Sequence, residues 1–447
     1  MSTTGESLKP WFIVFMLTLF MILAFADRAV LGFAAVPLMR DLNLTPSQFG
    51  LAASAMYWVY PIAGIAGGFL VNRWPTKWVL AGLATVWAAT QFPMLWATSL
   101  NEVVAARVLL GLGEGPAFAV VLHAVFKWFE DDRRAVPTSI VSEGAAFGIV
   151  LAAPIVAYFI VAQGWRFGFG LLGTVTAAWV VLWLIFGSEG KVATPSAGAG
   201  NLQPVSYRLL LLDRTFIGNT LAGFAVACGI TIMLAWLPPY LTRGLGYSTT
   251  QTGWLTTLPW IASIVLVLGG GYLSQRLLLA GVTSRYARSG LLCLCLVAGG
   301  AATAAMTFLS PGPLQLALLA IGFGLPTLVW TLSPAIIAEV TPVAQRGAML
   351  GLFSTIANSA AGSFAPYLMG LAVERGATPA AGYASGFLLL GVLQAAAAVA
   401  AWFLIRPAAT IAAFQAEAGK ATGRRPVTPT ALTPQPARIE RTASAGE

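Results

Sequence analysis

Runs of about twenty apolar residues recur from one end of this chain to the other, more than a soluble core could bury. A helix of about that length crosses the roughly 30 Å hydrocarbon core of a bilayer. Inside lipid, only helices and closed barrels satisfy their own backbone groups. The runs give twelve spans, starting near residues 11, 48, 76, 101, 134, 165, 212, 250, 287, 314, 346 and 381. Only 9% of residues are charged and the mean hydropathy is +0.80, whereas soluble domains carry about 25% charged residues. The expected fold is therefore an all-α membrane protein. The first span is too long for a signal-peptide h-region and leads into charges, so no cleavable leader is expected.

The net charge of +9 reflects topology rather than a nucleic-acid partner. If the N-terminus is cytoplasmic, only Arg40, Arg166, Arg243 and Arg375 fall on the outer side, and the basic residues of the other loops and of the tail fall on the inner side. This is the positive-inside pattern, and an even span count returns the C-terminus to the cytoplasm. The expected location is the cytoplasmic (inner) membrane. Cys228, Cys293 and Cys295 lie in spans and read as packing residues. No His or carboxylate is spaced to join them at a metal.

Residues 188–210 (GSEGKVATPSAGAGNLQPVSYRL) form the only long polar break. They read as a cytoplasmic linker between six-helix bundles at 11–187 and 211–406. Residues 1–10 form a short cytoplasmic N-terminus, and 407–447, rich in Ala, Thr, Pro and Arg, read as a disordered cytoplasmic tail. The halves share a faint repeat. RRAVPTSIVSEGAAFGIVLAAP ends at Pro154 and QRGAMLGLFSTIANSAAGSFAP at Pro366, with Arg134 and Arg346 in register. Repeats of this kind build many transporters, which hold substrate between the halves near the midplane.

Charges inside the spans are few: Asp27, Arg28, Arg107, Glu114 and Glu143, with His123 nearer a span end. A charge facing lipid at mid-span costs a few kcal/mol, so these side chains should face the bundle interior. In RVLLGLGEGP, Arg107 and Glu114 are two helical turns apart, about 10 Å along the axis. That is too far for a tight pair, but both can address one cavity. A partly desolvated carboxylate can exchange a proton near neutral pH, and a guanidinium offers a fork to a substrate carboxylate. Each charge also has a structural reading. Asp27 and Arg28 could brace the first span as an ion pair, Arg107 could be a scaffold residue, and His123 could be a satisfied interfacial histidine. Glu143 could simply bond a neighbouring helix.

With these residues in view, the chain resembles the major facilitator superfamily over roughly residues 10–406. Within it, the likeness is to the anion:cation symporter branch, which carries hexuronates, sugar acids, tartrate, phthalate and other aromatic acids, glutamate and sialic acid. The likeness rests on ADRAVLGFAAVPLMRDLNLTPSQFGL, RVLLGLGEGPAF, WFEDDRRA, GWRFGF, AWLPPYLTRGLGYSTTQTGWL and NSAAGSFAP, in that order. It implies two pseudo-symmetric six-helix bundles, proton coupling at Asp27 and Glu114, and an anion contact or gate at Arg28. It further implies an Arg107 coupled to the acid two turns on, with Tyr57, Tyr60, Trp330 and Asn358 lining a cavity. Glu143 replaces a neutral amide that contacts substrate in some relatives. The loop after the second span departs from G-x-L-x-D-R-x-G-R-K. Gly68 to Lys77 reads GFLVNRWPTK, with Asn72 for the aspartate beside Arg73, and GYLSQRL in the second half has Gln275. The resemblance makes this loop a conformational latch, weakened here.

The function expected is import of a small organic anion by proton symport, with no cofactor beyond the proton and a functional monomer. The alternatives are a proton-antiport exporter of drugs or other solutes, an uncoupled anion exchanger, and a non-transporting sensor. The exporter's G-x-x-x-G-P-x-x-G-G pattern is not matched by Gly144, Gly148 and Pro154. An intramembrane enzyme lacks residues to work with: the chain has one His and no nucleophile elbow. The apolar seventh-span stretch FAVACGITIMLAW, with Trp58, Trp87, Trp260 and Trp330, leans towards an aromatic or otherwise apolar carboxylate.

Overall fold

The computed structural model describes residues 8–130, 133, 135–190 and 205–422, which are helical with no strand among them. Eleven segments are long and apolar enough to cross a membrane. They are α1 (Lys9–Asp41), α2 (Pro46–Val71), α3 (Thr76–Leu95), α4 (Leu100–Phe126), α5 (Val136–Gln163), α6 (Trp165–Phe186), α7 (Arg214–Gly244), α8 (Thr249–Leu279), α9 (Arg285–Phe308), α10 (Pro313–Val340) and α12 (Pro379–Leu404). The remaining expected span, α11 (Arg346–Arg375), is a 30-residue helix, about 45 Å long. Gly, Ser, Asn and Ala keep its hydropathy low. It tolerates that because it packs on α2, α7 and α12 along much of its length.

Prolines set the helix breaks. α2 is interrupted between Ala55 and Tyr60, just before Pro61, and α4 between Glu114 and Ala117, at Pro116. α10 tightens into a 3₁₀ turn over Leu325–Leu328 at Pro326. Each proline removes an N–H that the helix ladder needs. Reciprocal capping boxes start α2 (Thr45 with Gln48) and α8 (Ser248 with Gln251), which explains TPSQ and STTQ at related places in the two halves.

The repeat at Pro154 and Pro366 marks a seam between the halves. Gly50 of α2 lies against the Pro366 carbonyl of α11, and Gly253 of α8 lies against Ala153–Ala157 and Pro154 of α5. Any side chain at either glycine would collide with the facing helix, so only glycine allows this approach. Across the seam the Ser47 N–H donates to Glu374 at 3.0 Å, and within the second half the Trp236 indole donates to the Pro366 carbonyl at 2.8 Å. All these contacts lie on the side of the bundle away from the two chain ends. On the side of the chain ends, a Cβ at Gly347 or Gly351 of α11 would meet no atom within 4 Å, and Ile62, Ile65 and Phe69 of α2 are exposed. The cleft between the halves is therefore closed on one side and open towards the chain ends. Gly50→Val should prevent this closure and cut transport at least about tenfold, since overpacking a tight contact costs about 1–3 kcal/mol. Cysteine-accessibility labelling of the closed side should rise in parallel; unchanged labelling would remove the seam's role.

Two expectations need correction. The start of the segment read as disordered is a helix, α13 (Pro407–Thr422). Its Ala-rich sequence favours helix, Phe414 packs with Leu210, Phe216 and Phe353, and Thr410 bonds Asp213 and Thr215. The last part of the expected linker also has structure: Tyr207–Leu212 is a short helix, and Gln345 exchanges two hydrogen bonds with the Val205 backbone. Residues 1–7, Asp131, Asp132, Arg134, most of the linker (191–204) and 423–447 lie outside the described residues.

Candidate functional site

Three helices of the first half bring the buried charges together. α1 carries Asp27 and Arg28, α2 carries Tyr57 and Tyr60 around its break, and α4 carries Arg107 and Glu114 just before Pro116. Arg28 Nε donates to Glu114 Oε2 at 2.5 Å. Glu114 is fully buried, while the Arg28 side chain keeps 14% exposure at the cleft. The guanidinium lies 4.7 Å from the Phe25 ring centre and 5.8 Å from that of Tyr60, with Nη2 3.4 Å from the Tyr60 hydroxyl. Arg28 is thus charge-paired on one edge and held by aromatic faces on others, with cation–π attraction adding to its placement.

Adjacent in sequence, Asp27 points elsewhere. It is fully buried, neither carboxylate oxygen accepts a hydrogen bond, and Gln91, Arg107 and Glu114 are its polar neighbours. The structural reading of Asp27 and Arg28 as mutual partners therefore fails: Arg28 is paired with Glu114. Arg107 is almost fully buried. It donates to the Asp27 backbone carbonyl at 3.5 Å and to Met56 Sδ at 3.1 Å, and its Nε has no partner. It joins the same cluster without a tight pair to Glu114, as the two-turn spacing implied.

The other expected residues take separate places. The Tyr57 ring lies on Gly362 of α11, across the seam, with its centre 5.9 Å from that of Tyr60. In the second half, Trp330 sits 5.5 Å from Phe353. The Asn358 amide donates to the Ser354 carbonyl at 2.9 Å, so it is committed to its own helix. Glu143 is exposed on α5. It shares a helical face with Pro154, three turns on, which meets Gly253 of α8, so it points along the gap between halves rather than at Arg28.

The loop read as a latch holds a residue the sequence reading missed. Gly68 falls in the last turns of α2, Asn72 and Arg73 continue its helical backbone past Val71, and Arg73 is exposed. Lys77 donates from Nζ to the Leu184 carbonyl at 2.8 Å. The carboxylate at this place comes from Glu189, beyond α6. It accepts from the Thr76 and Lys77 N–H groups at 3.2 Å and pairs with Lys127, capping the N-terminus of α3. Burial pushes the Glu189 carboxyl up, but hydrogen bonds from Lys127, Thr76 and Lys77 outweigh it and hold the group below its ordinary value. A depressed folded value means the clamp contributes fully above the ordinary carboxylate range and is lost as pH falls through the depressed value. Glu189→Gln should lower stability in detergent by about 1 kcal/mol and flatten the acid limb of thermal melting; an unchanged acid limb would sink the clamp.

Legibility was uneven here. Phe25 is three residues before Arg28 on one helix, a spacing that puts them on one face. Gln91, buried at 2% exposure, gave no signal, because TQFP reads as a span end.

Comparison with known proteins supplies the wider context. The probable sulfoacetate transporter of Cupriavidus necator is 28% identical over 416 residues, covering 89% of this chain and 94% of that protein. The hexuronate transporter of Bacillus subtilis is 28% identical over 405 residues, covering 86% and 92%. Among solved structures, a bacterial homologue of the human lysosomal transporter Spinster, inward-facing and unoccupied, superposes with a TM-score of 0.76. That match has 16% identity and covers 90% of this chain and 98% of the other. The Major Facilitator Superfamily profile matches residues 17–284. The chain therefore belongs to the Major Facilitator Superfamily, and is a multi-pass membrane transporter of a small-molecule substrate, not an enzyme.

Proposed function

We propose that this protein imports a small organic anion, an acid with apolar or aromatic character, by proton symport through alternating access, as a monomer in the cytoplasmic membrane with both termini inside. The observation that carries the reading is the Arg28–Glu114 pair: a fully buried carboxylate bound to a guanidinium that reaches the cleft. Substrate carboxylate and Glu114 would compete for one guanidinium fork. Proton arrival at Glu114 releases Arg28 to the substrate; proton departure restores the pair and expels the anion. Asp27, buried without a hydrogen bond, is the second proton carrier. With the termini inside, the open cleft faces the cytoplasm, the state that follows substrate release. Similarity to a probable sulfoacetate transporter and a hexuronate transporter supports an acidic substrate.

The test is uptake into proteoliposomes from a panel of organic acids, with and without an inward-directed proton gradient. Accumulation above equilibrium only with the gradient is expected. Accumulation of cationic drugs alone would overturn the anion reading, and gradient-independent exchange would overturn the coupling.

A further inference from the structure

Most buried indoles in this protein have an acceptor. Trp165 donates to Asp41, Trp179 to the Met16 carbonyl, Trp183 to the Lys77 carbonyl and Trp236 to the Pro366 carbonyl. Trp87, Trp260 and Trp330 have none. Trp87 is sealed within the first half against Phe20 and Gly113. Trp260 is different: it belongs to α8 of the second half, is buried at 7% exposure, and meets the first half at Phe25. Their ring centres are 6.3 Å apart in an edge-to-face contact. Phe25 is the ring that holds the Arg28 guanidinium at 4.7 Å. One aromatic ring on α1 thus touches both the first half's anion-binding cation and an indole of the second half whose N–H has no acceptor.

An indole N–H is a donor only, and burying it without an acceptor is unfavourable. A ligand oxygen in the cleft would resolve that. We propose that Trp260 Nε1 is the second half's substrate contact, and that the substrate is an organic acid with two acceptor groups: a carboxylate for Arg28 and a further acid oxygen for Trp260. This rests on the organic-anion reading above and adds a requirement to it. A molecule held from both halves would also help the first half and second half close on it together, which a one-headed acid could not do.

The test is competition against uptake in proteoliposomes by matched pairs of acids, succinate with butyrate and phthalate with benzoate. Wild-type protein is expected to prefer at least one diacid over its monoacid by about tenfold, a typical discrimination for a site whose donor would otherwise be left unpaired. Trp260→Phe keeps a ring against Phe25 but removes the donor. It should erase that preference by weakening the diacid while leaving the monoacid within about twofold. No preference in the wild type, or equal losses for both acids in the variant, would overturn the proposal. Should Trp260→Phe melt early, Trp260→His restores a ring N–H: a retained diacid preference supports the proposal, and its disappearance overturns it. If wild-type protein takes up none of the acids while remaining folded, the organic-anion reading itself fails. Uptake with an unaltered preference in Trp260→Phe leaves that reading standing and removes only Trp260.

Discussion

Arg28→Ala should abolish measurable binding of the transported acid, a loss of at least about 100-fold. Removing one partner of a charge-assisted pair in a partly buried site leaves the ligand carboxylate desolvated and alone, which costs about 3–5 kcal/mol. Every 1.4 kcal/mol, roughly, is tenfold in affinity. The substitution also strands Glu114, which is fully buried, so the melting temperature should fall as well. Two measurements separate these effects. Arg28→Lys keeps a positive charge near Glu114 but loses the planar fork, and should recover most of the stability and little of the binding. Thermal-shift titration with the acid then reads binding on folded protein, since a bound ligand raises apparent stability. An Arg28→Ala variant that still shifts with the acid at wild-type concentrations would return the pair to scaffolding.

Asp27→Asn should separate coupling from transport. The amide has the same shape, and neither oxygen of the native group accepts a hydrogen bond that the change could break, so the fold should be retained. Gradient-driven accumulation should fall by about 100-fold, the scale expected when a positioned proton carrier is removed. Exchange of labelled for unlabelled acid at equal pH should stay within a few-fold of wild type, because that half-cycle needs no net proton movement. Equal losses in accumulation and exchange would make Asp27 a structural residue. Wild-type accumulation would exclude it from the proton path.

The spans were legible because lipid admits so few backbone solutions. The apolar runs place the first helix near residue 11 and the seventh near 212, and the helices begin at Lys9 and Arg214. The span expected near residue 346 is α11, and its low hydropathy has a cause: its small residues let α2 and α7 approach closely, and that demand overrides apolarity. The site was half legible. Charge inside a span must face inward, which sends Asp27, Arg28, Arg107 and Glu114 to one cluster. Which carboxylate Arg28 would choose was not readable, because Asp27 is next to it in sequence but points to another face of α1. Glu189 was invisible for the opposite reason. It sits in a polar linker where a glutamate is ordinary, and only the folded chain brings it to the N-terminus of α3. The tail misled because composition poor in aromatics hides the single Phe414 that anchors α13.

The seam on the closed side consists of two related joints. Each half lends one proline-bearing helix, α5 or α11, and one glycine-bearing helix, α2 or α8, so each joint is the other seen from the opposite half. At Gly50 the facing atoms are backbone, and at Gly253 they are backbone and one short alanine side chain, Ala157. The two halves can therefore part and rejoin without any rotamer having to change at those points. A door hung on such a pair of matched, smooth hinges swings as one leaf, so damage to either joint should hamper both.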